Sequence, residues 1–179
     1  KSGITFLLLT FSVALWAQTP NIEVLNLNKP ERVEWFRDLG FGLFIHFSFD
    51  SQLGVVISHS MVGASEDYLD RYINELPKTF NPKDFDAREI ATLARLAGMK
   101  YIVFTTKHHS GFCMWDTETT DFNITNTPYK KDLLEEYVEA TREAGLAVGF
   151  YFSPEDFHFL HENGLEIRCT NINDIPQHI

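Results

Sequence analysis

Three almost wholly apolar segments, separated by amphipathic ones, constrain the fold of this chain more than any other feature. The apolar segments cover residues 41–47, 101–106 and 146–153, and they are rich in β-branched and aromatic side chains. Continuous apolar runs of this kind are typical of strands that are covered on both faces in a parallel sheet. Because a helical pattern lies between each pair, the order predicts an α/β fold with a parallel sheet.

Capping signals define the helices of this pattern. We expect a short amphipathic helix from a cap at Asn28 to Gly40, and a second helix that begins at Ser65 and stops at Pro77. Asp84 or Asp86 caps the next predicted helix, which runs to residue 97, and the last covers residues 132–144. Short polar side chains at the start of a helix accept hydrogen bonds from its free amides, and glycine or proline ends it.

Polar side chains follow each apolar segment where the strand would emerge from the sheet. The central segment reads KYIVFTTKHHSGFCMWD, in which His108 and His109 follow the strand and Gly111 permits a turn. His46 lies near the end of the first strand, and Glu155 follows the third. Because the carboxyl ends of parallel strands meet at one edge, where ligands bind, these residues predict a functional site.

The strand exits also distinguish between two parallel architectures. The first strand exits as HFSFDSQLG and the second as KHHSGF, so neither carries a glycine-rich phosphate loop. This disfavours a nucleotide-binding sheet and favours a (β/α)₈ barrel, whose sites combine residues from several strand ends. A complete barrel takes ~200 to 250 residues. We therefore expect the N-terminal portion of a TIM-like barrel, incomplete in this chain of 179 residues.

Composition and the first residues indicate the kind of protein and its destination. The formal net charge of −10 argues against a nucleic-acid partner, because binding to phosphates needs a basic surface. Residues 4–17 are apolar and follow a lysine, but they are too few for the ~20 residues of a membrane-spanning helix. This predicts a signal peptide over residues 1–17, with a partial catalytic domain over 18–179 and no membrane span in the mature chain. The protein would be secreted, periplasmic or lysosomal.

Three longer segments resemble a known family. They are FGLFIHF, TFNPKDFDAREIATLARLAGMKYIVFTTKHHSGFCMWDTETTDFN and GLAVGFYFSPEDF. In this order they closely resemble the N-terminal part of the catalytic domain of glycoside hydrolase family 29, the α-L-fucosidases, over about residues 34–159. The resemblance implies a barrel followed by a β-sandwich domain, a retaining hydrolase of terminal α-L-fucose, a fucosylated glycan or glycoside as partner, and no cofactor.

The resemblance also implies roles for individual residues. In the family, the residues that match His46, His108, His109 and Tyr151 line the pocket and hydrogen-bond the fucose hydroxyls. Imidazole suits this role because one nitrogen donates and the other accepts. Trp115 matches an aromatic position near the pocket.

Two further expectations come from the same resemblance. Glu66 lies where the family often has a Glu followed by a Trp that closes over the sugar, but Asp67 follows it here. We expect no catalytic residue in this chain, since the nucleophile and the acid/base would lie beyond residue 179. Asp156 would instead cap the turn that follows the third strand.

Alternative functions remain open at this stage. Histidines at strand ends also suggest a His-ligated metal hydrolase, but the H-x-H and H-E-x-x-H spacings do not occur, and adjacent residues of an extended segment point to opposite sides. We therefore expect no metal. A secreted, non-catalytic carbohydrate-binding protein is the second alternative.

Overall fold

The structure is a computed structural model that describes residues 28–55 and 57–168. Its strands are β1 (Gly42–Ile45), β2 (Tyr101–Lys107) and β3 (Ala147–Phe152). Its helices are α1 (Pro30–Leu39), α2 (Glu66–Asn74), α3 (Ala87–Leu96), α4 (Leu133–Glu143) and α5 (Phe157–Glu162). The predicted signal peptide lies outside the described residues. None of the helices in the described part is long and apolar enough to cross a membrane.

The three strands form one parallel sheet in the order β1-β2-β3. Ile45 of β1 lies beside Phe104 of β2, which lies beside Phe150 of β3. The two threonines of β2 add side-chain bonds to this ladder, because Thr105 Oγ1 donates to the Ile45 carbonyl (3.1 Å) and Thr106 Oγ1 donates to the Tyr151 carbonyl (2.9 Å). The predicted parallel α/β arrangement is therefore confirmed for the described residues.

Most of the predicted helix starts are confirmed. The side chains of Ser65, Asp86 and Asp132 accept hydrogen bonds from backbone amides in the first turns of α2, α3 and α4. The predicted cap at Asn28 is wrong: Pro30 occupies the first helical position, where its missing amide proton costs nothing, so Lys29 precedes α1. The helix α2 also ends before the predicted stop, because a separate 3₁₀ turn over Leu76–Thr79 follows it.

One part of the hydrophobic core lies between the sheet and the helices α3 and α4, and the rest includes buried side chains of α2, α5 and the segments that follow the strands. Tyr137 of α4 is buried, stacks on Phe104 at a ring distance of 5.1 Å, and donates its hydroxyl to the carbonyls of Ile102 (2.6 Å) and Gly149 (3.0 Å). This contact joins α4 to both β2 and β3. Cys113 is also buried, while Cys169 lies outside the described residues. The opposite face of the sheet is more open, since Phe44 is 48% exposed.

Candidate functional site

Four aromatic or imidazole rings meet at the carboxyl end of the sheet. The ring of His108 lies 4.7 Å from His46, 4.4 Å from His109 and 5.3 Å from Tyr151, measured between ring centres. His46 also contacts Tyr151 at 5.7 Å. We call these four residues the ring cluster. Four of the six predicted site residues are thus brought together from all three strand ends.

Backbone geometry at the strand ends sets the position of His46 and Tyr151. His46 directly follows β1, and Tyr151 is the residue of β3 that pairs with Thr105. The threonine hydroxyls bond to the carbonyl of Tyr151 and to the carbonyl that precedes His46. Side-chain hydrogen bonds from β2 therefore help to fix the backbone from which each of these two rings projects.

A turn brings His108 and His109 into contact although they are neighbours in the chain. The Gly111 amide donates to the His108 carbonyl (3.0 Å), and Gly111 has a φ of 87°, which glycine adopts without strain. A side chain at position 111 would also collide with the Asp156 carboxylate. Because the chain turns here, the rule that neighbours on an extended segment point apart does not apply. Even so, within residues 28–55 and 57–168 no three His, Cys, Asp or Glu side chains are grouped to hold a metal ion.

His109 is held more firmly than the other rings. Its Nδ1 lies 2.6 Å from Ser153 Oγ and 2.8 Å from Glu155 Oε2. Its ring stacks on Phe157 at 5.5 Å, and its backbone carbonyl accepts a hydrogen bond from the Phe157 amide (2.7 Å). The loop after β3 thus fixes one side of His109 and leaves Nε2 as its remaining polar atom.

Desolvation disfavours the charged form of the three imidazoles of the ring cluster and lowers the pKa of each. Desolvation, followed by the nearby His109, lowers the pKa of His108 to about 3. Burial also lowers the pKa of His46 and His109, although the charges of Asp50 and Glu155 oppose this. A neutral imidazole offers one donor and one acceptor. Nδ1 of His108 is buried and has no hydrogen-bond partner among the described residues.

Beside the ring cluster lies a buried ion pair, Lys107 with Asp156, which we call the latch. Lys107 Nζ lies 3.3 Å from Asp156 Oδ2 and donates to the carbonyls of Ser153 and Glu155, both at 3.0 Å. The two charged side chains are only 5% and 14% exposed. Asp156 Oδ1 accepts from the Phe159 amide (2.9 Å), so Asp156 caps α5. The predicted capping role of Asp156 is confirmed.

The other two predicted site residues lie outside the ring cluster. Glu66 is exposed in the first turn of α2. Trp115 is half-buried and its ring approaches Phe152 at 6.4 Å. Together with Lys107 and His158, these two aromatic residues line a separate pocket of about 370 Å³. Their contacts with a sugar stay predictions.

Sequence reasoning missed two residues next to the ring cluster. His59, from the long segment before α2, lies 5.1 Å from the ring of His109. Asp50 is buried beneath this segment, where its Oδ2 accepts from Tyr72 (2.7 Å) and Ser60 (3.0 Å), and burial raises its pKa. His59 has no periodic pattern around it that could have indicated its position. For Asp50, its place just after β1 was the available signal.

Comparisons with known proteins agree with one another. A family model described as alpha-L-fucosidase matches residues 9–166. The chain is 28% identical to alpha-L-fucosidase 1 of Arabidopsis thaliana, over 88% of this chain and 31% of that protein.

Two solved structures are also similar to this chain. Alpha-L-fucosidase isoenzyme 1 of Paenibacillus thiaminolyticus is 38% identical with a TM-score of 0.62, over 80% of this chain and 36% of the other. A GH29 alpha-L-fucosidase of Bacteroides thetaiotaomicron is 35% identical with a TM-score of 0.58, over 72% and 31%. The chain thus spans about a third of the length of each of these relatives.

Proposed function

Because the chain belongs to the α-L-fucosidase family, glycoside hydrolase family 29, we propose that it forms the fucose-binding part of an enzyme that removes terminal α-L-fucose. The substrate would be a fucosylated glycan or glycoside, and the reaction would retain the configuration at the anomeric carbon. The observation that carries this proposal is the ring cluster at the carboxyl end of the sheet, where three imidazoles and a phenol meet.

Neutral imidazoles suit the recognition of a sugar. A hydroxyl both donates and accepts hydrogen bonds, and a neutral imidazole can meet it in either role. His108 is nearly fully buried, and its Nδ1 has no partner among the described residues, which costs ~1 to 3 kcal/mol. His46, His108, His109 and Tyr151 are therefore the proposed contacts with the sugar. Glu66 and Trp115 remain predicted contacts at its periphery.

The catalytic carboxylates are proposed to lie outside this chain. A retaining glycosidase uses two carboxyl groups ~5 to 5.5 Å apart, one as nucleophile and one as acid/base. The three carboxylates at the strand exits are each engaged with the protein itself: Asp50 with Tyr72, Glu155 with His109, and Asp156 with Lys107. The chain by itself should consequently bind no transition state and hydrolyse no fucoside.

The wider architecture follows from the same proposal. The three parallel strands would be the first three of a (β/α)₈ barrel, with the ring cluster at the end where barrel enzymes bind their substrates. The short apolar run of residues 4–17 supports export through a signal peptide, and hence a secreted, periplasmic or lysosomal enzyme. Intact mass of the protein from its native host tests this point, and retention of residues 4–17 would contradict it.

Hydrolysis of an aryl α-L-fucoside tests the proposed function. The complete gene product should release the aryl group, while residues 18–179 expressed alone should not. An Asp156→Asn variant serves as a control in both forms. If the short form turns over as fast as the complete protein and loses this activity with Asp156→Asn, the nucleophile lies in this chain and the proposal is wrong. Fucose binding without hydrolysis by the complete protein would favour the non-catalytic alternative.

A further inference from the structure

Sugar binding by the ring cluster does not by itself explain the position of Glu155. This residue follows the third strand at the same edge of the sheet, yet its carboxylate contacts His109. We propose that Glu155, together with Ser153, is a positioning residue that sets the orientation and the tautomer of His109, so that Nε2 presents its lone pair to a sugar hydroxyl. This inference rests on the proposed function, and it adds two residues to the recognition of the sugar.

The chemistry of the contact selects one tautomer. Glu155 Oε2 lies 2.8 Å from Nδ1 of His109, and an ionised carboxylate can only accept a hydrogen bond. The proton of the neutral imidazole must then be on Nδ1, which leaves a lone pair on Nε2. Ser153 Oγ, 2.6 Å from the same nitrogen, is a second oxygen on that side of the ring. Histidines that bind ligands through one nitrogen are commonly oriented through the other in this way.

The segment that carries Glu155 is rigidly joined to β2. Lys107 Nζ donates to the carbonyls of Ser153 and Glu155, and the Ser153 amide donates to the Lys107 carbonyl (3.0 Å). Phe157, two residues after Glu155, donates its amide to the His109 carbonyl (2.7 Å). Glu155 and His109 therefore sit on backbones that are bonded to each other at both ends of the loop.

Two neighbouring rings restrict His109 further. Phe157 stacks on one side of the imidazole at 5.5 Å, and His59 approaches at 5.1 Å. The side chains of His109 and Glu155 are only 17% and 20% exposed. A charge-assisted hydrogen bond in such a setting is stronger than one at the surface, where water competes for both partners. The contact is thus suited to hold the ring in one orientation.

The chain offers a matched control for this contact. Glu162 of α5 approaches another imidazole, that of His158, at 3.4 Å, but the carboxylate is 61% exposed and lies outside the ring cluster. Glu162→Gln removes the same charge from the same kind of pair. It should leave both the tautomer of His109 and the kinetics of the enzyme unchanged.

Nitrogen-15 spectra of the histidine-labelled complete protein test the tautomer without any substrate. The signal of His109 is assigned by its absence in His109→Gln. In the wild type we expect Nδ1 to be protonated and Nε2 to be bare. The double variant Glu155→Ala/Ser153→Ala should convert His109 to a mixture with the other tautomer. A wild-type His109 protonated on Nε2, or a double variant with an unchanged spectrum, would overturn the inference.

Kinetics on an aryl α-L-fucoside then link the tautomer to recognition. Glu155→Ala should lower kcat/KM roughly tenfold, mainly through KM, because the ring no longer presents a fixed lone pair. Glu155→Gln should recover most of this loss, since its amide oxygen accepts the same proton. Unchanged kinetics in Glu155→Ala would overturn the inference. If the wild type hydrolyses no fucoside, the proposed function fails, and the nitrogen spectra still decide the role of Glu155.

Discussion

Lys107 of the latch and His108 of the ring cluster are neighbours in the chain, yet the protein satisfies the polar atoms of the first and leaves Nδ1 of the second without a partner. The ammonium of Lys107 meets three oxygen atoms of the protein, from two carbonyls and from Asp156. In the ring cluster, Nδ1 of His108 has no partner in the described part of the chain, and the rings mainly contact other rings. Polar groups at the strand ends thus divide into those that this chain satisfies, such as Lys107 and Nδ1 of His109, and those without a partner in its described part, such as Nδ1 of His108.

Lys107 and His108 also differ in what they contribute to the free energy of folding. A buried charge with full pairing keeps the loop after β3 in place, whereas an unpaired buried nitrogen costs free energy in the absence of a ligand. Natural proteins accept such local costs mainly at functional sites. Changes in the latch should consequently act on stability, and changes in the ring cluster should act on binding and catalysis.

The largest expected effect comes from removing the charge of the latch. Lys107→Met keeps a similar side-chain volume but leaves Asp156 buried without its partner, which should lower the free energy of unfolding by about 3 to 5 kcal/mol. Urea denaturation of the complete protein measures this.

Lys131→Met is the control for Lys107→Met. Lys131 lies 3.7 Å from Glu136 and is 68% exposed, so its loss should cost about 0 to 1 kcal/mol. Equal effects of the two substitutions would show that Lys107 is not a structural charge.

His109→Ala should act on catalysis in the complete enzyme. Loss of a hydrogen bond to the bound sugar, worth ~1 to 3 kcal/mol, should lower kcat/KM for an aryl α-L-fucoside by about tenfold or more. A chelator should leave the wild-type rate unchanged. His161→Ala, on α5, is the control for the loss of an imidazole outside the ring cluster. Activity that a chelator abolishes and zinc restores would instead support the metal hydrolase.

The acid sensitivity of the fold should depend on His108. Its pKa is lowered to about 3 in the folded protein, from 6.5 for an unperturbed histidine. Between these values the unfolded chain binds a proton that the folded protein does not, so stability falls as the pH falls from 6.5 towards 3. His108→Gln should make the free energy of unfolding less dependent on pH in this range. An unchanged slope in urea denaturation at several pH values would contradict the burial of a neutral imidazole.

The smallest expected effect concerns the threonines that tie the strand ends together. Thr106→Val keeps the shape of the side chain but removes the hydrogen bond to the Tyr151 carbonyl, at a cost of about 0.5 to 1.5 kcal/mol. We expect a small loss of stability with little change in KM. A large rise in KM would show that the position of Tyr151 depends on this bond more than on the backbone pairing of β2 with β3.

Local patterns predicted the strands, most helix starts and the convergence of His46, His108, His109 and Tyr151 at one edge. These features depend on short-range periodicity and on the geometry of parallel strands, both of which are visible in sequence. The cap of α1 was misplaced because Asn28 is a typical capping residue, whereas Pro30 takes the first helical position and leaves Lys29, which makes no side-chain cap, just before the helix.

Other parts of the site depend on contacts between distant segments. The approach of His59 to His109 and the burial of Lys107 among carbonyls of residues 153–155 have no signal in local sequence. A lysine after a strand is usually exposed, and only the loop after β3 makes its burial favourable. The contact between Glu155 and His109 was missed for the same reason.

Titration of the complete protein with L-fucose, followed through the imidazole resonances, tests whether the ring cluster binds the sugar. D-fucose, the mirror image, is the control because it has the same groups in the opposite arrangement. We expect L-fucose to shift the signals of His46, His108 and His109, no response from His161, and no effect of D-fucose. Equal responses to both sugars, or no response in the ring cluster, would contradict this expectation.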